Sequence, residues 1–298
     1  MSRVSIIIPA LNEENNLPRV LPAVLAQIEP GDEVIVVDNG SQDRTTIIAA
    51  SYNVKVVFEM KRGRGCARNS GVKTAAGEFI VFLDADCIPE KGWLQSLMQP
   101  FEDAMVGAVA GEIVNSIGGG AIDMYLNEKG HLSQADNFKH PFLPFGASAN
   151  LAFRKIVLKV IGVFDESLVD GEDADLCWRM QLNTQYRLVL ADLSKVCHQH
   201  SFSVKDILRQ KRRHACGAAM LYKKHRAAWK NAVPTSKKVY WEYRSILLRS
   251  GKYCVARLAA NFHLGYAPLP GHGYQLMLEI GDKLGRIQGS LRHHVWYP

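Results

Sequence analysis

The sequence predicts an α/β fold in which a mainly parallel central sheet is flanked by helices and followed by a basic helical region. Short apolar runs alternate with helical segments of about 10–15 residues, the pattern of βαβ units. Runs such as SIIIP and EVIVVD are apolar at successive positions, as expected for strands that are covered on both faces. The last third of the chain is strongly basic.

Each predicted element follows from its local residue pattern. Pro9 ends the first apolar run, and the next segment carries apolar residues at helical spacing, including Leu17, Leu21 and Val24. Ser41 can cap the second helix. The predicted strands are residues 4–8, 33–37, 54–58, 78–83, 107–115, 148–153 and 187–191, and residues 135–144 are expected to form a loop. The predicted helices are residues 13–27, 41–50, 64–76, 91–101, 121–133, 155–161, 174–182, 203–226, 237–262 and 274–291.

Charge divides the chain near residue 203. The whole sequence has 36 Lys and Arg against 29 Asp and Glu, a net charge of +7. Residues 1–202 hold 18 basic and 25 acidic side chains, a net charge of −7, whereas residues 203–298 hold 18 and 4, a net charge of +14. We therefore expect two domains, residues 1–202 and residues 203–298, that face different partners.

Composition excludes several classes of protein. With 47% hydrophobic and 22% charged residues, the chain is not wholly disordered, collagen-like or coiled-coil. The six cysteines form no CxxC pair, which argues against a zinc site and a disulfide framework. The first apolar run is too short for a signal peptide, and no run of about 18 apolar residues predicts a membrane span. A reducing, cytoplasmic location is the simplest expectation.

Polar clusters follow three of the predicted strands. Residues 9–13, Asp38 and the segment 84–86 come directly after strands one, two and four. Ligands bind beyond the carboxyl ends of strands in open α/β sheets. Acidic residues are also common in turns and helix caps, but three such clusters on neighbouring strands favour a ligand site.

Two carboxylates one residue apart, Asp84 and Asp86, indicate a divalent cation. Mg²⁺ or Mn²⁺ held there would bind a diphosphate and neutralise a leaving group. The alternative is a solvated turn before Pro89. His198 and His200 follow a short apolar stretch, and in an extended segment such alternating residues would point the same way, either as further metal ligands or as ordinary histidines.

Two further segments carry charge at helix starts. The segment RGRGCARN at residues 62–69 combines glycines with arginines at a helix N-terminus, which favours phosphate. It fits neither the dinucleotide-binding GxGxxG pattern nor a P-loop, so both classes are set aside. The segment GEDAD at residues 171–175 has more carboxylates than capping needs, and one of them could act as a general base.

Taken in order, the segments SIIIPALNEE, VIVVDNGSQD, RGRGCARNSG, FIVFLDADC, FGASANLAFRK and GEDADLCWR resemble the family 2 glycosyltransferases, inverting enzymes with a GT-A fold. The resemblance implies a nucleotide-sugar donor, a UDP-sugar as first choice, a divalent cation (Mn²⁺ or Mg²⁺), and a catalytic GT-A domain over residues 1–202. It covers residues 4 to about 182. The acceptor would be a hydroxyl of a sugar, a lipid-linked compound or another molecule.

The resemblance also implies roles for single residues. Asp173 would be the catalytic base, and Glu172 would hold substrate hydroxyls. Asp86 would ligate the metal, with Asp84, His198 and His200 as further candidates. Residues expected to contact the donor are Pro9, Leu11, Asn12, Glu13, Asp38, Arg64, Arg68, Asn69, Asp84, Ala85, Asp86, Gly146 and Asn150.

One departure from the family limits the expected reaction. Processive synthases of the family carry a QxxRW motif and membrane spans, whereas the nearest stretch here, RQKRRH at residues 209–214, has no Trp. Transfer of a single sugar is therefore expected. The basic region, which carries interfacial aromatics, suits an anionic membrane surface at the cytoplasmic face rather than nucleic acid, or else simply packs as solvated helices.

Two other functions remain alternatives at this point. A sugar-phosphate nucleotidyltransferase also uses an α/β nucleotide site and Mg²⁺, but the GxGTRL-like loop that this chemistry favours is absent after strand one. A non-catalytic protein that binds membranes or polyanions through its basic region would use the acidic motifs only as caps.

Overall fold

The computed structural model describes residues 4–115, 132–199, 203–229, 236–261 and 270–297. Residues 4–115 and 132–199 form one unit, the N-terminal unit, and the described residues from 203 onward form a second, the C-terminal unit. The expected domain boundary between residues 202 and 203 stays a prediction. The expected helix at residues 121–133 lies almost entirely outside the described residues.

The N-terminal unit is built on a sheet in which eight described strands take the order β3-β2-β1-β4-β7-β6-β8-β5. Strands β3, β2, β1 and β4 are parallel, as are β6 and β8, while β7 runs antiparallel to both of its neighbours and β5 runs antiparallel to β8. The α/β class with a largely parallel sheet is thus confirmed. The strands are β1 Val4–Ala10, β2 Glu33–Asp38, β3 Lys55–Phe58, β4 Phe79–Leu83, β5 Cys87–Pro89, β6 Val106–Asn115, β7 Asn150–Arg154 and β8 Arg187–His198.

Helices flank this sheet. The described helices of the N-terminal unit are α1 Leu17–Leu25, α2 Thr45–Ala50, α3 Arg64–Thr74, α4 Trp93–Met98, α5 Gln134–Asn137, α6 Lys155–Ile161 and α7 Glu172–Asn183. Pro100 lies in the short 3₁₀ segment Gln99–Glu102 that follows α4, since its missing N–H cannot continue an α-helix. The expected loop at residues 135–144 overlaps the short helix α5.

The apolar strands bury side chains on both faces of the sheet. Along β1, Ile6 and Ile8 belong to one core cluster and Ile7 to the other. This alternation explains why the strand reads as a continuous apolar run. Helix α3 lies very close to β1, because a Cβ added to Gly71 would come within 2.4 Å of Ile7 Cγ2. The glycine thereby allows α3 to lie directly against the inner strand β1.

The second half of the sheet departs from expectation. Strand β8 continues to His198, seven residues beyond the predicted end at 191, and β5 was not expected at all. Residues 192–195 are DLSK, which lacks the apolar run that marked the other strands. Residues 192–194 form an irregularity between the pairs Gly111–Ala191 and Glu112–Lys195, and beyond it β8 continues because residues 195–198 pair with β6 and residues 196–198 with β5. Only the tertiary fold supplies these partners.

The C-terminal unit contains three long described helices, α8 Val204–His225, α9 Ser236–Asn261 and α10 Pro270–His293, where three basic helices were expected. Gly285 lets α10 approach α8 closely, because an added Cβ would lie 2.4 Å from the Arg212 carbonyl oxygen. Gly281 and Gly289 face α8 one turn away on either side. Among the described residues, no helix is both long enough and apolar enough to span a bilayer.

Candidate functional site

The polar clusters after β1, β2 and β4 lie at one edge of the sheet. The three strands are parallel neighbours, with Ala10 paired to Asp38 and Ile7 paired to Phe82. Their carboxyl ends therefore point the same way, as the sequence predicted. This edge carries most of the expected donor-binding residues.

The loop after β1 is tied to the loop after β2 by hydrogen bonds. The Asn12 N–H donates to Ser41 Oγ at 3.0 Å, and the Gln42 N–H donates to Asn12 Oδ1 at 2.8 Å. The Glu13 N–H donates to Thr45 Oγ1 at 2.7 Å. Asn12 adopts a left-handed backbone with φ of 59°, which Asn tolerates better than most residues. The exposed side chain of Leu11 lies on this braced loop, directly after β1.

Asp38 is buried and shapes the second loop. Its Oδ1 accepts a hydrogen bond from the Ser41 N–H at 2.8 Å, and its Oδ2 accepts one from the Thr46 hydroxyl. Burial raises the pKa of Asp38, but the hydrogen bonds from Thr46 and Ser41 outweigh it and leave the pKa below its ordinary value. Asp38 is thus an ionised carboxylate whose two oxygens already serve the loop.

Arg68 links the end of β4 to the start of α7. Its guanidinium is 1% exposed and donates from Nη2 to Asp84 Oδ1 and from Nη1 to Glu172 Oε1, each at 3.0 Å. The same Nη1 lies 3.6 Å from Asp173 Oδ1. Burial opposes the charged form of Arg68, yet the three carboxylates raise its pKa overall, so it stays a cation. One arginine on α3 thus brings together two motifs that lie 88 positions apart.

The start of α7 presents Glu172 and Asp173 to this arginine. The turn before the helix requires Gly171, whose φ is 82°. The Ser148 N–H donates to Asp173 Oδ2 at 3.1 Å, while in the described part of the chain the buried Asp173 Oδ1 accepts no hydrogen bond. Burial, followed by the charge of Asp173, raises the pKa of Glu172, although Arg68 and Arg64 act against this. Arg64 itself lies 3.8 Å from Glu172, at the outer side of the cluster.

Asp86 and His198 form a second group beside the first. Asp86 Oδ2 lies 3.3 Å from His198 Nε2, because β5 and β8 pair Cys87 with His198. The Gln199 N–H also donates to the Asp86 carbonyl oxygen at 2.8 Å. One atom each from Asp86, Cys87 and His198 lies within 4.8 Å of the others. Burial raises the pKa of the Cys87 thiol well above its usual value, so the carboxylate and the imidazole are the ligands that suit Mg²⁺ or Mn²⁺.

The expected metal ligand His200 lies outside the described residues. Pro9 and Ala85 are placed by the sheet itself, Pro9 within β1 opposite Val37 and Ala85 buried in the core between Asp84 and Asp86. Both therefore offer mainly backbone to a ligand at this edge.

Two expected donor contacts, Asn69 and Asn150, use their side-chain amides inside the protein. Asn69 Nδ2 donates to the Phe164 carbonyl and to Glu166 Oε1, each at 3.0 Å, and Asn69 Oδ1 accepts from the Phe164 N–H. These bonds tie α3 to the loop before α7. The structure therefore does not bring the Asn69 amide into the arginine–carboxylate cluster.

Asn150 is likewise buried. Its Nδ2 donates to the Glu112 and Ser194 carbonyl oxygens at 3.0 Å, and its Oδ1 accepts from Trp93 Nε1 at 2.8 Å. Asn150 therefore joins β6, β7, β8 and α4. Gly146 also serves packing, since an added Cβ would lie 2.7 Å from Leu151 Cδ1.

Sequence reasoning missed an aromatic group beside α7. The Phe142 and His140 rings lie 5.0 and 5.1 Å from the buried Trp178 ring, and Trp178 Nε1 donates to the Leu143 carbonyl at 2.9 Å. Burial lowers the pKa of His140, which favours a neutral ring. The alternation of Phe and Pro in PFLPF at residues 141–145 was the available signal. The group anchors the segment that leads to Ser148.

Comparison with known sequences gives related proteins of one family. A model described as glycosyl transferase family 2 matches residues 5–162, more than half of the chain. The pre-mycofactocin glycosyltransferase of Mycobacterium tuberculosis (strain ATCC 25618 / H37Rv) is 31% identical over 231 residues, covering 74% of this chain and 48% of that protein. Glycosyltransferase AglE of Haloferax volcanii is 32% identical over 211 residues, covering 65% and 66%. The chain thus spans about half the length of the mycobacterial relative.

Solved structures show the same architecture. The mannosyltransferase PcManGT from Pyrobaculum calidifontis, solved in complex with GDP-Man and Mn²⁺, has a TM-score of 0.65 and 18% identity, covering 97% of this chain and 87% of that chain. Glucosyl-3-phosphoglycerate synthase from Mycobacterium tuberculosis, in complex with Mn²⁺, UDP and phosphoglyceric acid, has a TM-score of 0.55 and 20% identity, covering 79% and 80%. At this identity the likeness concerns the fold, which is the expected GT-A type. The family model matches more than half of the chain, and the matched residues include the ends of β1, β2 and β4 that carry the polar edge. The chain therefore belongs to glycosyl transferase family 2.

Proposed function

We propose that the protein transfers a single sugar from a nucleoside-diphosphate sugar to an acceptor hydroxyl, with inversion at the anomeric carbon. The observation that carries this proposal is the set of contacts made by the buried Arg68 guanidinium. It contacts Asp84 at the donor edge and, at the start of α7, Glu172 and Asp173, the expected base. Relatives named as glycosyltransferases support the reaction class, and structural neighbours solved with GDP-Man or UDP support the donor class.

Asp173 is the group we assign as general base. Its side chain is 22% exposed, whereas that of Glu172 is 5% exposed, so the Asp173 carboxylate can be reached by an acceptor hydroxyl and take its proton. Oδ2 accepts from the Ser148 N–H, and Oδ1 is the buried oxygen. Arg68 lies 3.6 Å from that oxygen and holds the carboxylate in place. A fixed orientation of the base lowers the entropy lost when acceptor and donor are brought together.

Glu172 has a different task in this proposal. Its side chain is buried and bonded to Arg68, with Arg64 nearby, so it is poorly placed to reach a sugar hydroxyl. We assign it to positioning Arg68, and through Arg68 the base. Asp84, the third partner of Arg68, connects this arrangement to the donor edge.

A divalent cation fits the group formed by Asp86 and His198. An oxygen and a nitrogen ligand lie 3.3 Å apart at the edge of the sheet, and Mn²⁺ and Mg²⁺ take such ligands. When bound, the cation would neutralise the charge that develops on the diphosphate leaving group. The residues of this chain supply the carboxylate, the imidazole and the hydrogen bond from Gln199 that holds the Asp86 backbone.

A thermal-shift screen of nucleotide sugars with Mn²⁺ tests the donor assignment, because a specific ligand raises the melting temperature by mass action. We expect UDP-sugars to raise the melting temperature most, and GDP- and dTDP-sugars are tested for comparison. Identification of the released product then tests the reaction. A nucleoside diphosphate supports glycosyl transfer, whereas pyrophosphate would indicate a nucleotidyltransferase, and the absence of any shift would contradict both.

The acceptor we propose is a sugar or a lipid-linked hydroxyl compound. The basic C-terminal region, with a net charge of +14 over residues 203–298, suits an anionic membrane surface at which such an acceptor is met.

A further inference from the structure

Helix α9 in the C-terminal unit uses one face to pack on α10. Lys283 on α10 donates to Glu242 Oε2 at 2.8 Å and lies 5.3 Å from the centre of the Tyr243 ring. Two turns further along α9, Arg249 makes two hydrogen bonds to Glu279, at 3.0 and 2.5 Å. These charge pairs settle which side of α9 faces its neighbour.

The other side of α9 exposes large apolar side chains. Tyr240, Trp241, Leu247 and Leu248 are between 50% and 74% exposed. They occupy two adjacent pairs of positions seven residues apart, which places them on one helix face two turns apart. Arg244 lies between the pairs, with its guanidinium 4.8 Å from the centre of the Trp241 ring. We call these four apolar residues the α9 stripe.

The composition of the α9 stripe is characteristic of a membrane interface. Single exposed apolar residues are common on protein surfaces, but a contiguous apolar face marks a site of interaction. Helices that lie on a bilayer combine Trp and Leu on one face with Lys and Arg beside them, and Tyr and Trp settle at the level of the headgroups. Leu284 and Leu291 of α10 are also exposed, as is Trp296 after the helix, but there the neighbouring Tyr297 is buried, so no exposed Tyr–Trp pair accompanies these leucines among the described residues.

The two candidate partners for the α9 stripe are a second copy of this chain and a lipid bilayer, and charge distinguishes between them. The C-terminal region carries 18 basic and 4 acidic side chains. A second copy of this chain would bring the same positive charge to the contact and repel it, whereas an anionic bilayer has the complementary sign.

We propose that the α9 stripe docks on the surface of an anionic lipid bilayer, with Leu247 and Leu248 inserted among the acyl chains and Tyr240 and Trp241 at the headgroups. The inference rests on the proposed function in one respect, since it names the surface where the acceptor is met. Docking is peripheral, in keeping with the absence of a membrane-spanning helix among the described residues.

Flotation with vesicles tests the docking. Vesicles of phosphatidylcholine alone and of phosphatidylcholine with phosphatidylglycerol are each mixed with the full chain at low salt. We expect the protein to float with the anionic vesicles only. The double variant Leu247→Glu/Leu248→Glu should lower the partition coefficient by about 10²-fold or more, because two apolar side chains no longer enter the bilayer.

The control is Leu193→Glu, which places one carboxylate on an exposed leucine of β8 in the N-terminal unit and should leave flotation unchanged, whereas Leu247→Glu alone, with the same added charge, should lower it. The proposal is wrong if wild-type protein stays with the soluble fraction, or if the double variant floats as well as wild type. It is also wrong if wild type is a dimer that the double variant dissociates, since a second copy would then cover the stripe.

The nucleotide-sugar melting shift is measured on the same samples. The double variant should keep the shift, because the changed residues lie in the C-terminal unit. If the double variant no longer floats but its melting temperature still rises with the nucleotide sugar, only docking is affected. If wild-type protein floats but its melting temperature does not rise, only the proposed reaction is contradicted.

Discussion

Asp173 is the single residue on which the proposed chemistry depends most directly. Replacing it with Asn keeps the shape of the side chain and its contact with the Ser148 N–H but removes the proton acceptor. We expect sugar transfer to fall by about 10²- to 10⁴-fold, the usual contribution of a general base. Steady-state kinetics measures the loss, and the donor melting shift of the variant should equal that of wild type. Near wild-type turnover would contradict the assignment.

Asp86 carries the corresponding prediction for the cation. Asp86→Asn weakens one ligand of the Asp86–His198 group, so we expect Mn²⁺ affinity, measured by titration calorimetry, to drop at least about tenfold. Chelation with EDTA should abolish transfer, and added Mn²⁺ or Mg²⁺ should restore it.

Asp136→Asn serves as the control, because this exposed carboxylate on α5 forms an ion pair with Lys139 and lies outside the Asp86–His198 group. Equal Mn²⁺ affinity in wild type and Asp86→Asn, or full transfer without metal, would remove Asp86 from its role.

At the residue scale, the sequence and the family resemblance singled out the acids of the candidate site but not the residue that links them. Asp84 and Asp173 stood out in the sequence, yet their shared contact with Arg68 depends on how closely α3 packs on β1. The Asn150 amide could equally have served a ligand. Its actual partners, the Glu112 and Ser194 carbonyls, lie 38 and 44 positions away and are brought together only by the folded sheet.

At the scale of elements, the glycines of α10 determine how the C-terminal unit packs. Gly285→Ala would place a methyl group against the Arg212 carbonyl and the Ala215 side chain, at 2.4 and 2.7 Å. We expect this overpacking to cost about 1–3 kcal/mol in the free energy of unfolding, measured by urea denaturation followed by circular dichroism.

Gly251 on α9 provides the matched control for this prediction. An added Cβ there meets no atom within 4 Å, so Gly251→Ala should be neutral or stabilise by up to about 1 kcal/mol through helix propensity. Equal effects of the two substitutions would show that close packing of α8 and α10 does not depend on Gly285.

Elements with a strong local signal were predicted, and those held by distant partners were not. Strands β1, β2 and β4 follow from uninterrupted apolar runs and helix α3 from its glycine and arginine start. In β8 the polar residues 192–194 interrupt the pairing with β6, and the strand resumes after them because residues 195–198 pair with β6 and residues 196–198 with β5. Local sequence does not contain that information.

For the molecule as a whole, the acidic character of the N-terminal region predicts a loss of stability at low pH. Hydrogen bonds from Lys61 and Asn69 lower the pKa of Glu166 to about 2, and bonds from Ser5 and the backbone, acting against burial, lower that of Glu33. A pKa below the unfolded value adds stability above the unfolded pKa, and this is lost as pH falls through the folded value.

We therefore expect the urea midpoint of the full chain to fall between about pH 5 and about pH 2. Glu166→Gln should remove part of this dependence, since the substituted amide does not titrate. A midpoint that stays constant over this range, or an unchanged slope in the variant, would contradict the assignment of these carboxylates.

The reversed direction of β7 has a practical consequence for redesign of the protein. Because β7 runs against β4, with Asn150 opposite Leu83, the chain returns to the polar edge just before β7 begins. The segment 141–149 therefore borders Asp173 from the far side of β4, away from the loops that follow β1 and β2. Under the proposed function, exchanging this segment between relatives would alter acceptor choice while the donor loops keep their sequence, so the two specificities could be engineered separately.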